Sequence, residues 1–365
     1  MIIGVDASKA TEQQKTGLGN TIYPILLELQ KIDKTNQYYL YTNAPLPKEL
    51  LSDNFIEKLI PSFKFWHSIK LPLTLRADKP DAFFAFTNPM PACAPKNTFV
   101  LLHDFASKFF PECYSPLERR EQDRAVKLAI RKASKILVTS EANKADLKKF
   151  YNPDMSKVFV APLGFNDKLG KEIEPVKEVS NLSAPFFLSV GRIEKRKNTL
   201  NTVLAFAKFK EETKSSAKLV LVGKNGYGSK DVKKTIDSLP DDLKKDIISL
   251  GFVTQNQLGY LYSKALCLVY PSLYEGFGFP ILEAMSCGSA VITSNISTIK
   301  EVAGEAVLYV DPKKVNDISD KMLQIYKSIE ERGKLISLGK ENIKKFSFAI
   351  TAKIILDLIN DINTV

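Results

Sequence analysis

Leu273-Tyr-Glu-Gly-Phe-Gly-Phe-Pro-Ile-Leu-Glu-Ala-Met-Ser-Cys-Gly288 is the stretch that decides the fold. Just upstream, Ala265-Leu-Cys-Leu-Val-Tyr-Pro271 is a short apolar run closed by proline, which predicts a buried parallel strand. Pro280 suits the first turn of a helix, where a missing N–H costs nothing; Ile281–Cys287 continues that helix and Gly288 ends it. A strand, a glycine turn and a helix N-terminus in that order offer free backbone N–H groups and a positive dipole end to an anionic or hydroxyl-rich ligand. Glu275 stands in the turn and Glu283 about one helical turn further on, so both carboxylates can face one crevice at the carboxyl edge of the sheet.

The 365 residues suit two domains of ordinary size, each with its own core. A hydrophobic content of 44% and a charged content of 25% are those of a soluble globular protein. No run approaches the roughly 20 apolar residues of a spanning helix. Met1-Ile-Ile-Gly-Val-Asp6 lacks the basic region, apolar core and cleavage site of a signal peptide, and reads as a first strand. Cys93, Cys113, Cys267 and Cys287 show no Cys-x-x-Cys spacing and read as buried reduced thiols, pointing to the cytoplasm. His67 and His103 are the only histidines, which excludes a histidine-rich metal site. With no Asp-x-Asp motif either, no obligatory metal or cofactor is expected. The Walker pattern is absent, and Gly223-Lys-Asn-Gly-Tyr-Gly228, which lacks a downstream acid, reads as a turn.

Short apolar runs alternate with amphipathic stretches along the whole chain, predicting parallel sheets built from βαβ units. In the first half, strands are expected near 2–6, 38–42, 82–86, 99–103, 135–139 and 158–161, with helices near 20–32, 65–75, 116–133 and 141–151. Residues 164–185 are poor in large apolar side chains and bracketed by Gly and Pro, the pattern of an interdomain linker. The second half restarts with a strand at 186–190 and continues through strands at 218–222, 247–250, 290–293 and 307–310 to a helical region over 316–362.

The glutamate spacing of the opening segment, with Phe-Gly and Pro inside it and Glu-Ala-Met at its end, resembles the signature of glycosyltransferase family 4. The resemblance spans nearly the whole chain. Thr16-Gly-Leu-Gly-Asn20 is similar to the family's glycine-rich loop, and Val190-Gly-Arg-Ile-Glu-Lys-Arg-Lys-Asn198 to its phosphate-binding segment. Val100-Leu-Leu-His-Asp104, followed by Phe110-Pro-Glu, resembles the bacterial mannosyltransferase-like members. The implied fold is α/β of the GT-B type, two Rossmann-like doubly wound domains facing a central cleft. An acceptor-binding domain over 1–170 and a nucleotide-sugar-binding domain over 171–347 are expected, with the helix at 348–365 crossing back onto the first.

By that resemblance Arg192 and Lys197, with Arg196 beside them, hold the diphosphate of a nucleotide-sugar, and a guanidinium with an ammonium suits the charge that develops on it. Gly17 and Gly19 allow close backbone approach to the same phosphates. Glu283 accepts the ribose hydroxyls, Glu275 lies next to the transferred sugar, and the N–H groups of Phe277 and Gly278 reach sugar hydroxyls. His103, with Asp104 after it, meets the sugar's outer hydroxyl, and the backbone near Phe252 and Val253 holds the base. The implied activity is retaining, metal-independent transfer of a hexose, mannose favoured, to a glycan or lipid-linked acceptor in cell-envelope polysaccharide assembly. A nucleotide-sugar epimerase and a non-catalytic sugar- or lipid-binding protein are the alternatives.

The net charge of +11 is unevenly spread: residues 119–149 hold ten Lys/Arg against four acids. Arg120, Arg124, Lys127 and Arg131 form one helical stripe, which reads either as a solvated face or as a contact for an anionic membrane. Phe63, Phe65 and Trp66, beside Lys64 and Lys70, could join that contact or pack into the core. Nucleic acid is not an expected partner, because no aromatic residues are interleaved with these charges.

Overall fold

The computed structural model describes residues 1–11, 19–61, 65–86, 90–91 and 93–364. The chain forms two compact units, Met1–Phe165 with Phe346–Val365, and Asn166–Lys345. The stretch expected to be a linker joins the second unit from Asn166 onward, because Leu169, Val176 and Val179 are buried there.

The first unit's described strands are β1 (Ile2–Asp6), β2 (Gln37–Thr42), β3 (Phe55–Leu59), β4 (Ala82–Ala85), β5 (Thr98–Leu102), β6 (Lys135–Val138) and β7 (Val158–Val160). They form one parallel sheet in the order β3-β2-β1-β4-β5-β6-β7. β5, Thr-Phe-Val-Leu-Leu, is buried throughout, as a strand covered on both faces must be. β3 has no counterpart among the expected strands. It is an edge strand carrying Glu57 and Lys58, so only one of its faces supplies an apolar signal.

The second unit's described strands are β8 (Phe186–Val190), β9 (Lys218–Val222), β10 (Ile247–Gly251), β11 (Cys267–Tyr270), β12 (Ala290–Ser294) and β13 (Leu308–Val310). Their order, again all parallel, is β10-β9-β8-β11-β12-β13. The order reverses between β8 and β11. That is where a doubly wound sheet opens a crevice at the carboxyl ends of its strands. The helices Thr199–Thr213 and Val315–Lys327 pack together, and their buried faces, with Phe206, Phe209, Ile318 and Met322, complete the core against β8, β9 and β11.

Phe348–Asn360 is a helix capped by the Ser347 hydroxyl, which accepts from the backbone of Ile350 at 3.2 Å. It packs against the helix Gly19–Ile32 of the first unit, and the Thr351 hydroxyl donates to the Pro162 carbonyl at 2.6 Å.

Trp66 is buried and Phe65 is 69% exposed, so Trp66 offers nothing to a membrane; Phe63 and Lys64 lie outside the described residues. Arg120, Arg124, Lys127 and Arg131 are exposed on the helix Pro116–Lys132. Among the described residues no helix is long and apolar enough to cross a membrane. All four cysteines are free thiols; Cys267 is buried, whereas Cys93, Cys113 and Cys287 are only partly covered because they fall in turns or at helix ends.

A β-carbon on Gly164 would stand 2.1 Å from the backbone nitrogen of Phe348. Gly164→Ala must therefore push the C-terminal helix outward. The first unit should lose roughly 2–3 kcal/mol, seen as a lower urea midpoint; an unchanged midpoint would refute this account of how the helix docks.

Candidate active site of the second unit

Two loops leave the sheet at the reversal between β8 and β11. The first, Gly191–Asn198, runs from β8 into the helix Thr199–Thr213. Gly191 holds φ at 130° and Gly223, after β9, at 140°; a β-carbon on Gly223 would sit 2.0 Å from the Gly191 carbonyl oxygen. Only glycine lets these two strand ends approach so closely. The second loop, Pro271–Gly278, leads into the helix Phe279–Ser286, with Pro280 in its first turn and Gly278 at φ 106° before it.

Asn198 stitches the loops together. Its own backbone is left-handed (φ 60°), and its amide donates to the carbonyls of Pro271 at 2.9 Å and Pro312 at 2.6 Å. The Leu273 N–H donates to the Arg196 carbonyl at 2.9 Å. Lys197 is thereby held against Glu275.

Glu275 is 5% exposed. Its Oε1 accepts from Lys197 Nζ at 2.6 Å and from the Tyr270 hydroxyl at 2.7 Å, and its Oε2 from Arg196 Nη1 at 3.3 Å. Lys197 Nζ also lies 2.5 Å from the Tyr270 oxygen. Burial alone would raise the carboxyl's pKa, but the charges of Lys197 and Arg196 and the hydrogen bonds from Lys197 and Tyr270 outweigh it and bring it down to about 2. Arg196 is also paired with Glu194, Nη2 to Oε1 at 2.9 Å, so this guanidinium is clamped between two carboxylates. Arg192 differs: its side chain is 66% exposed, 3.7 Å from Glu194.

Glu283, in the helix Phe279–Ser286, accepts from the buried Tyr262 hydroxyl at 3.0 Å. Burial raises its carboxyl to about 7, with the Tyr262 hydrogen bond and the Lys197 charge opposing only in part. Beside these groups a cavity of about 390 Å³ opens at the ends of β8, β9 and β10, lined by Gly191, Arg192, Gly223, Lys224, Phe252 and Val253 among others.

The second unit thus gathers Arg192, Arg196, Lys197, Phe252, Val253, Glu275, Phe277, Gly278 and Glu283 around the carboxyl ends of its strands. His103 and Asp104 follow β5 in the first unit. His103 Nε2 is 3.1 Å from the Phe86 carbonyl, burial lowers its pKa, and Asp104 accepts from the Ala106 N–H at 2.9 Å. Gly19 is the first residue of the helix Gly19–Ile32, and Gly17 lies outside the described residues. Sequence reasoning missed Tyr270, Tyr262, Glu194 and Asn198. One signal was present for Tyr270, a hydroxyl closing an otherwise aliphatic strand directly before the loop that carries Glu275.

Two parallel sheets with this strand order, and a cation–carboxylate cluster at the reversal of the second, define a GT-B architecture. Residues 170–342 match the family described as Glycosyl transferases group 1. The chain is similar to O-antigen chain mannosyltransferase B of Escherichia coli, 29% identical over 80% of this chain and 77% of that one. Another relative, O-antigen chain mannosyltransferase RfbU of Salmonella typhimurium, is 29% identical over 69% of this chain and 66% of its own length. Among solved structures, sucrose-phosphate synthase of Thermosynechococcus elongatus superposes with a TM-score of 0.76 at 19% identity, covering 100% of this chain and 99% of that one. Anabaena HepE in complex with UDP and glucose gives a TM-score of 0.73 at 18% identity, covering 98% and 99%.

The raised carboxyl of Glu283 has a signed consequence. A group whose folded pKa lies above its unfolded value stabilises the fold below the unfolded value, here 4.5, and that contribution is lost as pH rises through about 7. Glu283→Gln should be near neutral at pH values around 4.5, and stabilising by roughly 2–3 kcal/mol well above 7. Melting temperatures of both proteins across that range test it, and a pH-independent difference would contradict it.

Proposed function

We propose that the chain transfers a mannosyl group, with retention of configuration, from GDP-mannose to a glycan or lipid-linked acceptor in cell-envelope polysaccharide assembly, without a metal ion. The observation that carries the reading is the buried Lys197–Glu275–Tyr270 cluster at the reversal of the second sheet, with Glu283 close by and a nucleotide-sized cavity alongside. Similarity to two O-antigen mannosyltransferases supports the donor and the pathway class.

In this reading the base lies along the backbone of Phe252 and Val253, and Glu283 accepts from the ribose hydroxyls. Arg192 and Lys197 meet the diphosphate, Lys197 exchanging part of its contact with Glu275 for a phosphate oxygen. The negative Glu275 stands by the sugar as its anomeric carbon turns oxocarbenium-like. The bond from that carbon to the diphosphate oxygen breaks, the acceptor oxygen bonds to the same face, and the acceptor's proton passes to the leaving phosphate. Glu275 is bound on both oxygens, which suits charge stabilisation better than nucleophilic attack. His103, in the first unit, is assigned to an outer sugar hydroxyl.

GDP should raise the melting temperature more than UDP or dTDP, since a ligand at 100 times its Kd adds about 2.7 kcal/mol of stability. Proton NMR of the product should show the donor's anomeric configuration, and a chelator should leave the rate unchanged. Glu275→Gln should lower kcat on the order of a hundredfold. Undiminished transfer by that variant would sink the mechanism, and release of free nucleotide from donor alone with an epimerised sugar would favour an epimerase.

The exposed Arg120, Arg124, Lys127 and Arg131 also support a peripheral contact with an anionic membrane surface. Co-sedimentation with anionic but not neutral vesicles, lost in high salt and after charge reversal at these four positions, is the expected result. Unchanged sedimentation after charge reversal would reduce the stripe to a solvated face.

A further inference from the structure

Asp6 closes β1 where the order of the first sheet reverses, with β2 on one side and β4 on the other. Ligands of parallel sheets bind in the crevice outside such a reversal. The side chain is 1% exposed. Its Oδ1 accepts from the Ser8 N–H at 3.1 Å and the Ser8 hydroxyl at 2.6 Å, while Oδ2 lies 3.0 Å from Nε2 of His67. A carboxylate only accepts, so Nε2 carries the proton, and in the neutral ring Nδ1 is an acceptor. The His67 side chain is 31% exposed, and among the described residues nothing hydrogen-bonds its Nδ1.

The backbone around this ring is unusual. His67 sits in a π-helical turn, Trp66–Lys70, a form often found at functional sites. Phe65, just before it, holds φ at 57°, a conformation bulky side chains rarely adopt. Trp66 is turned into the core with its indole N–H unpartnered among the described residues, and its ring meets that of His67 edge-on at 4.8 Å. Packing alone does not call for this combination. Its effect is to present the imidazole to Asp6 with the far nitrogen unspent.

We propose that Asp6 and His67 form a hydroxyl-binding site for the acceptor saccharide: Asp6 fixes the tautomer and His67 Nδ1 accepts a hydrogen bond from a sugar hydroxyl. The proposal rests on the reading of the chain as a glycosyltransferase whose first unit takes the acceptor. In its neutral form the imidazole offers a lone pair at Nδ1 and no positive charge, which suits a sugar hydroxyl. His67 binds here; no proton transfer is assigned to it.

The chain has just two histidines, so nitrogen-15 histidine labelling of the full protein gives two imidazole spin systems, told apart with His67→Gln. In its neutral form the His67 ring should carry its proton on Nε2. Its Nδ1 resonance should move on adding at least one of methyl α-mannoside, methyl β-galactoside and methyl N-acetyl-α-glucosaminide, and stay fixed with GDP. A neutral ring with its proton on Nδ1, or a resonance that none of the three sugars moves, overturns the proposal. Kinetically, His67→Gln should raise the acceptor KM on the order of tenfold, as loss of one hydrogen bond does, with the donor KM nearly unchanged; an equal rise in both, or in neither, counts against the site. Should no nucleotide bind the second unit, the glycosyltransferase reading fails there, while the histidine resonances still decide this site.

Discussion

A carboxylate removed from water costs several kcal/mol unless it is paired and hydrogen-bonded where it stands. Glu275 is in that position, and much of the second unit's local architecture answers it. Lys197 comes from the loop after β8, Tyr270 from the end of β11, and Arg196 arrives already paired with Glu194. These groups meet only because β8 and β11 are neighbours across the sheet's reversal. The glycine contact between the ends of β8 and β9 and the Asn198 amide fix the two loops to within a hydrogen bond of each other. Removing any one cation would leave a buried charge partly uncompensated, so stability and chemistry share the same residues here.

Glu283 shows what the cations do by lacking them. Both glutamates are driven upward by burial, but Glu283 is held by a tyrosine hydroxyl and feels Lys197 only weakly, so it titrates near neutrality while Glu275 stays ionised. Two carboxylates on one strand–turn–helix segment are thus set to different protonation behaviour by their neighbours alone. In the proposed chemistry the permanently charged one faces the developing cation, and the other only accepts hydrogen bonds.

The sequence is most legible where local pattern and burial agree. The strand Cys267–Tyr270, the glycine turn and the helix from Phe279 can be read from apolar runs, Gly278 and Pro280, and the α/β class follows from the repeated alternation. What cannot be read is side-chain meeting across sequence distance. Tyr270 lies 73 positions from the Lys197 it touches, and His67 lies 61 from Asp6. Tyr262 and Glu194 look like an ordinary helix aromatic and a loop acid until the fold brings Glu283 and Arg196 to them. β3 escapes for another reason: an edge strand is protected by charge, and charge hides the alternation that would reveal it.

The return of Phe346–Val365 to the first unit bears on the order in which the protein is made. The Gly19–Ile32 helix is synthesised early, yet the apolar face that covers it, with Ala352, Ile355 and Ile359, leaves the ribosome only after the whole of Asn166–Lys345. The second unit can therefore close its core during synthesis, while the first, begun sooner, finishes later. Until then that helix face stays uncovered, open to chaperones and to misassembly, and a chain stopped short of Ser347 would never lose that exposure.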